Sequence, residues 1–234
     1  MLWVVIALLV LGAIGLVFYL CEKIKNYSLK GVLIKAIVSM LFVSVAIVSA
    51  LYKHGHIFNS FIIIGLILGL SGDIWLDLKY VYPKDDRLYT FAGFTVFGVG
   101  HIMFIIGMFT EFFDGYNVLH IILPFVGALL AAFANLFLEK PMKLNFGELK
   151  WVVFAYSFLL FSTPFTALSL LIATGWNNTT LIMMFIGGIL FAISDLVLSN
   201  TYFGENHEKP IDFLLNYLAY YSAQFVIAFS IFFI

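Results

Sequence analysis

The sequence has very little charge and almost no cysteine. Only 11% of its 234 residues are Asp, Glu, Lys or Arg, where soluble domains carry about 25%. So small a charged fraction cannot cover a water-soluble globule. The 12 basic and 13 acidic residues leave a formal charge of −1, which excludes a nucleic-acid binder built on a basic excess. Cys21 is the only cysteine, so no disulfide framework holds the chain together. What the sequence has instead is apolar: 63% of residues are hydrophobic, too many for a disordered chain. These proportions describe an all-α polytopic membrane protein of spanning helices and short loops.

A spanning helix needs about 20 mostly apolar residues. Eight stretches meet that requirement: Leu2–Leu20, Val32–Leu51, Ile57–Leu78, Phe91–Thr110, Val118–Leu138, Trp151–Thr174, Leu181–Ser199 and Ile211–Ile234. They form a single integral membrane domain over 1–234. The first has no basic leader and no small-residue cleavage site, so it reads as a span and not a signal peptide. Lys23, Lys25, Lys30 and Lys35 lie in or beside the first connection, and Lys79, Lys84 and Arg87 in the third. Lys140, Lys143 and Lys150 lie in the fifth, and Lys209 in the seventh. Of the basic residues only Lys53 falls in an even connection. The positive-inside rule then puts the odd connections in the cytoplasm and both termini outside.

The third and seventh spans share a pattern. One reads Gly65 … Ser71-Gly72-Asp73-Ile74-Trp75-Leu76 … Tyr80. The other reads Gly187 … Ile193-Ser194-Asp195-Leu196-Val197-Leu198 … Tyr202. The next span carries a polar residue at matching distance, His101 in one case and Gln224 in the other. Four spans separate the two units, so both run the same way. The spacing predicts two parallel four-helix halves, 1–116 and 117–234.

An Asp inside a span costs about 2.5–3.5 kcal/mol on insertion scales, so ionisable residues there are functional candidates by default. Asp73 and Asp195 fall roughly 9 Å and 7–8 Å from the odd-connection end, and His101 about 16 Å, at 1.5 Å per residue. Tyr217, Tyr220, Tyr221 and Gln224 share one face of the eighth span. Asn135, Tyr156, Ser157 and Ser194 are further candidates at similar depth. Asp77, one turn below Asp73, is expected near the interface and solvated. The outer half reads as almost wholly apolar. The expected site is therefore a polar cavity in the cytoplasmic half, lined by Asp73, His101, Asp195 and Gln224. Each candidate also has a structural alternative: the acids as interhelical acceptors, His101 as a packed hydrogen-bonder, the tyrosines as core.

Metal chemistry is not expected. A catalytic zinc needs about three N, O or S ligands, and only one His lies within a span, with His54, His56, His120 and His207 in loops or at helix ends. No cofactor motif is present. No serine sits in a glycine-flanked elbow. Two buried carboxyls without metal or nucleophile suit general acid/base work, one protonated and one ionised.

Gly72-Asp73-x-x-Leu76, the Phe91-Ala92-Gly93-Phe94 and Phe97-Gly98-x-x-His101 run, Gly187-Gly188 through Ser194-Asp195, and Tyr220-Tyr221-x-x-Gln224 follow in order. Together they resemble the YhhN family, bacterial relatives of the eukaryotic lysoplasmalogenases. The resemblance is carried by spans three, four, seven and eight. It implies cleavage of the vinyl-ether bond of a lysophospholipid, giving a fatty aldehyde and a glycerophospho-head group, with the family's two acids falling on Asp73 and Asp195. Asp77 is an extra acid beside the first motif. His101, Tyr217, Tyr220, Tyr221 and Gln224 would orient substrate or water. The partners implied are that lysolipid and the surrounding membrane lipids. Two other classes stay open on residues alone: a proton-coupled transporter using the acids as a relay, and a lipid-binding protein without catalysis.

Overall fold

The apolar runs become eight helices in chain order: α1 (Leu2–Lys23), α2 (Leu29–Tyr52), α3 (Ile57–Val81), α4 (Asp86–Phe112), α5 (Leu119–Phe137), α6 (Lys150–Ala173), α7 (Thr179–Phe203) and α8 (Pro210–Ser230). The computed structural model describes residues 2–23, 28–115, 117–204 and 210–234. Lys25, His207 and Lys209, assigned above to connections, lie outside the described residues. Each helix is long and apolar enough to cross a membrane. The helices outrun their apolar stretches chiefly at the odd-connection end. There α4 begins at Asp86 rather than Phe91, and α7 runs to Phe203 rather than Ser199. Hydropathy marks the lipid-facing length, but backbone hydrogen bonding carries a helix on until a cap or turn replaces it. Caps are local: Ser28 Oγ accepts from Gly31 N at 3.2 Å, opening α2, and Asn178 Oδ1 from Leu181 N at 2.9 Å, opening α7.

The helices pack chiefly as neighbours in sequence: α1 with α2, α2 with α3, α3 with α4, then α5 with α6, α6 with α7, α7 with α8. Contacts between helices distant in sequence are α2 with α8, α3 with α8 and α4 with α6. A Cβ on Gly65 of α3 would lie 2.4 Å from the Phe104 ring and 3.0 Å from the Gly100 carbonyl oxygen of α4. A Cβ on Gly187 of α7 would lie 2.6 Å from Ile227 and 3.3 Å from the Ala223 carbonyl oxygen of α8. Small residues let these backbones approach closely, which is how helices associate where lipid supplies no hydrophobic drive between them.

Pro164 interrupts the hydrogen-bond ladder of α6, and a Cβ on Gly188 of α7 would lie 3.0 Å from its ring. Helices α1 and α5 are mostly exposed along their length, as befits lipid-facing positions, while α4 and α6 lie largely inside. The α5–α6 connection is tied to the end of α7 by Asn145 N donating to Phe203 O at 2.8 Å. It is tied to α6 by Lys150 on Glu139, also at 2.8 Å, an ion pair that holds the Glu139 carboxyl below the usual carboxylate range.

Because Gly65 meets both a ring and a backbone oxygen, Gly65→Val should force α3 and α4 apart. Overpacking of this kind costs about 1–3 kcal/mol. The expected result is a lower unfolding midpoint and less monodisperse protein in detergent. An unchanged melting curve would mean the contact is looser than the geometry says.

Candidate active site

Asp73 and Asp77 lie one turn apart on α3, on the same face. Both are buried, 2% and 5% exposed. Lys35 of α2 reaches between them, its Nζ 3.2 Å from Asp73 Oδ1 and 3.2 Å from Asp77 Oδ1. From α1, Lys23 Nζ lies 2.8 Å from Asp77 Oδ1, and the Tyr19 hydroxyl donates to Asp77 Oδ2 at 2.7 Å. Two cations and two anions thus balance within one buried cluster. An unpaired charge there would cost several kcal/mol, and mutual pairing removes most of that penalty.

This corrects the reading of Asp77. It is not solvated near the interface, because α1 and α2 fold Lys23, Lys35 and Tyr19 over it. Lys35, counted above with the cytoplasmic charges, is 4% exposed.

The second oxygen of Asp73 accepts from Ser39 of α2 at 2.6 Å and from Tyr220 of α8 at 2.8 Å. The Tyr220 oxygen in turn accepts from Gln224 Nε2 at 3.0 Å. Tyr221 lies 3.2 Å from Ser39 Oγ, and Tyr217 lies 3.0 Å from the Tyr19 hydroxyl. The shared face of α8 therefore has divided duties. Tyr220 holds Asp73 directly, Tyr221 holds its neighbour, and Tyr217 reaches the Asp77 side.

Asp195 of α7 is half-buried. Its partner is a phenol rather than a cation: Tyr156 of α6 donates to Oδ2. Phe94 of α4 stacks on Tyr156 at 5.1 Å and fixes the ring. Asn216 of α8 donates to the Ser194 carbonyl at 2.8 Å and to its hydroxyl at 3.0 Å, pinning α7 beside Asp195.

Asp73 and Asp195 line one cavity, with Lys35, Ser194, Asn216, Tyr217 and Tyr220. Its volume is about 20 Å³, room for about one water between the two carboxyls. A second cavity, about 30 Å³, begins at Asp195 and Tyr156 and runs among Val153, Leu160, Phe161 and Leu196. Its walls are mostly apolar, with Asn135 and Ser157 joined by a 2.7 Å hydrogen bond. The two cavities share Phe94, Tyr156, Asp195, Leu198 and Tyr202.

Three of the residues expected to orient substrate or water do not line the cavity of the two acids. His101 turns into the packing behind it, with Nδ1 2.9 Å from Thr163 Oγ1 and its ring 4.8 Å from that of Phe191. Its ring also packs at 6.2 Å from that of Tyr156. Gln224 meets Asp73 through Tyr220, and Tyr221 through Ser39. The sequence reading missed Lys35, Lys23, Tyr19, Ser39 and Asn216. For Lys35 a signal existed: it falls well inside α2, where a lysine calls for an anionic partner. Tyr19, Ser39 and Asn216 gave none, being ordinary residues in apolar spans.

Eight apolar helices, with Asp73 and Asp195 lining one small cavity, define a polytopic membrane protein. A family model, the YhhN family, matches residues 30–231. The chain belongs to the YhhN family. No curated protein and no solved structure matches it.

Neutralising one member of the quartet leaves a buried cation without its partner. Asp77→Asn should therefore destabilise the fold by about 3–5 kcal/mol, seen as early unfolding in detergent. Adding Lys23→Met should recover part of that loss, because Lys35 keeps Asp73. A stable Asp77→Asn single variant would show that the quartet does not hold α1, α2 and α3 together.

Proposed function

We propose that the protein is a membrane hydrolase that cleaves the vinyl-ether bond of lysoplasmalogens, releasing a fatty aldehyde and a glycerophospho-head group. The observation that carries this reading is one cavity bounded by two carboxyls with different partners. Asp73 has a lysine; Asp195 has a phenol. Membership of the YhhN family fits a lysoplasmalogenase-like activity.

The partners suggest the roles. A carboxyl paired with Lys35 and hydrogen-bonded by Ser39 and Tyr220 is suited to keep its negative charge. A carboxyl in an apolar wall beside a phenol is best accommodated as the neutral acid. In this reading Asp195 gives its proton to the β-carbon of the vinyl ether. The resulting oxocarbenium ion forms facing Asp73, whose charge stabilises it. Water, oriented by Asp73 and Tyr220, adds to the α-carbon and returns a proton to Asp195. The hemiacetal then collapses to the aldehyde and the free glycerol hydroxyl. The apolar cavity beside Asp195 opens to take the alkenyl chain. His101, behind Tyr156, is a positioning residue in this scheme, and Gln224 holds Tyr220.

The basic residues of the odd connections support a cytoplasmic mouth, with both termini outside. The matching register of α3–α4 and α7–α8 supports reading 1–116 and 117–234 as two parallel copies, each giving one acid to the site.

Asp73→Asn and Asp195→Asn should each lower turnover of a lysoplasmalogen about 10²–10⁴-fold. The double variant should be little worse than either single one, because the acids act as a unit. Mass spectrometry of aldehyde release by purified protein reads the result, with a saturated ether lysolipid as the uncleavable comparison. Wild-type turnover by a folded Asp195→Asn protein would end the two-acid mechanism.

A further inference from the structure

A third cavity opens at the odd-connection end, between the end of α3, the start of α4, the segment before α6 and the end of α7. At about 330 Å³ it is far larger than the two inner ones and falls in the range of small-molecule sites. Its lining is charged in a patterned way: Lys79 and Arg87 supply two cations, Asp86 and Glu148 two anions. Lys79 Nζ sits 3.2 Å from Asp86 Oδ1, 3.5 Å from Thr90 Oγ1 and 3.6 Å from the centre of the Tyr202 ring. Arg87 pairs with Glu148, and both side chains are largely exposed, at 70% and 73%. Exposed pairs of this kind are weakly held and easily exchanged for a ligand. The buried quartet is the opposite case, since its charges are fully committed to one another.

Tyr202 lines all three cavities. It stands between the charged outer cavity, the acid pair and the apolar cavity. The outer cavity thus adjoins the apolar cavity through Tyr202 and Phe203 and the acid-pair cavity through Tyr202.

We propose that this outer cavity is a subsite for a phosphate ester that carries an ammonium group, with the phosphate on Lys79 and Arg87 and the ammonium on Asp86 and Glu148. The equal numbers of cations and anions argue for a zwitterionic group over a simple anion. Arg87 presents the planar fork that phosphate oxygens accept in pairs. This assignment rests on the lysolipid reading of the acid pair and names the part of the substrate that the acids do not touch.

The test is binding of a soluble head group to the purified full-length protein in detergent, followed by calorimetry or saturation-transfer NMR. Glycerophosphoethanolamine, glycerol 3-phosphate and inorganic phosphate are the probes. Arg87→Gln and Lys79→Gln should weaken glycerophosphoethanolamine at least about tenfold. Arg87 is exposed, so its variant tests the site even where Lys79→Gln folds poorly. Glu148→Gln should weaken glycerophosphoethanolamine but not glycerol 3-phosphate. Asp195→Asn should bind the head group as wild type does. Unchanged binding in Arg87→Gln, no binding by the wild-type protein, or inorganic phosphate binding as tightly as glycerophosphoethanolamine would each overturn the subsite. If the head group binds as expected while Asp195→Asn still cleaves lysoplasmalogen, the acid-pair mechanism fails and the subsite stands.

Discussion

A buried lysine set between two aspartates organises this molecule. Lys35 reaches Asp73 and Asp77 at 3.2 Å each, and Lys23 completes the set on Asp77. None of the four could sit alone in the bundle, because an isolated charge there is costly. Their mutual need draws α1 and α2 onto α3. It also leaves one face of Asp73 free of cations, and that face is where Ser39 and Tyr220 bind. The orientation of the carboxyl in the shared cavity thus follows from a charge balance struck on its other side.

The second acid obeys a different constraint. Asp195 has Tyr156 for a partner, and that phenol is held by the stacked ring of Phe94. Two acids of the same type therefore meet one cavity in contrasting surroundings. Such a contrast is what divides the labour between two carboxyls in an acid/base site. The apolar cavity begins at the same Tyr156 and Asp195, so the less committed acid is also the one beside the slot a hydrocarbon chain would fill. His101 stays out of this arrangement. It braces α4 against α6 through Thr163, and its ring fills space between Phe104, Phe191 and Tyr156.

Close helix contact brings the acids within reach of one cavity at all. Gly65 and Gly100 bring α3 against α4, Gly187 brings α7 against α8, and Gly188 seats α7 on Pro164 of α6. Asp73 lies eight residues after Gly65, and Asp195 eight after Gly187. Each acid is thus carried to its depth by the helix pair whose spacing the glycine sets. Contacts of α2 and α3 with α8 and of α4 with α6 then join the pairs, so that Tyr220 of the α7–α8 pair serves Asp73 of the α3–α4 pair and Asp195 lines the same cavity.

The eight spans were legible because a helix that crosses lipid must satisfy its own backbone and be apolar for about 20 residues, and both requirements are written in consecutive residues. The two acids were legible for the complementary reason, that a carboxyl has no place in such a run unless something answers it. What answers it was not legible. Asp77 and Lys35 read as charges near a loop, since position along one helix says nothing of which neighbour covers it. His101 and Gln224 read as cavity residues on depth alone, yet depth fixes only height in the bundle and leaves the direction around the helix to packing. Lys23, Tyr19, Ser39 and Asn216 meet Asp77, Asp73 and Ser194 across large gaps in sequence. Composition and periodicity determined the membrane class, the number of helices and the two carboxyls. Only the tertiary structure decided which of them holds a lysine and which a phenol, because pairing of charges between helices depends on how the helices turn toward one another.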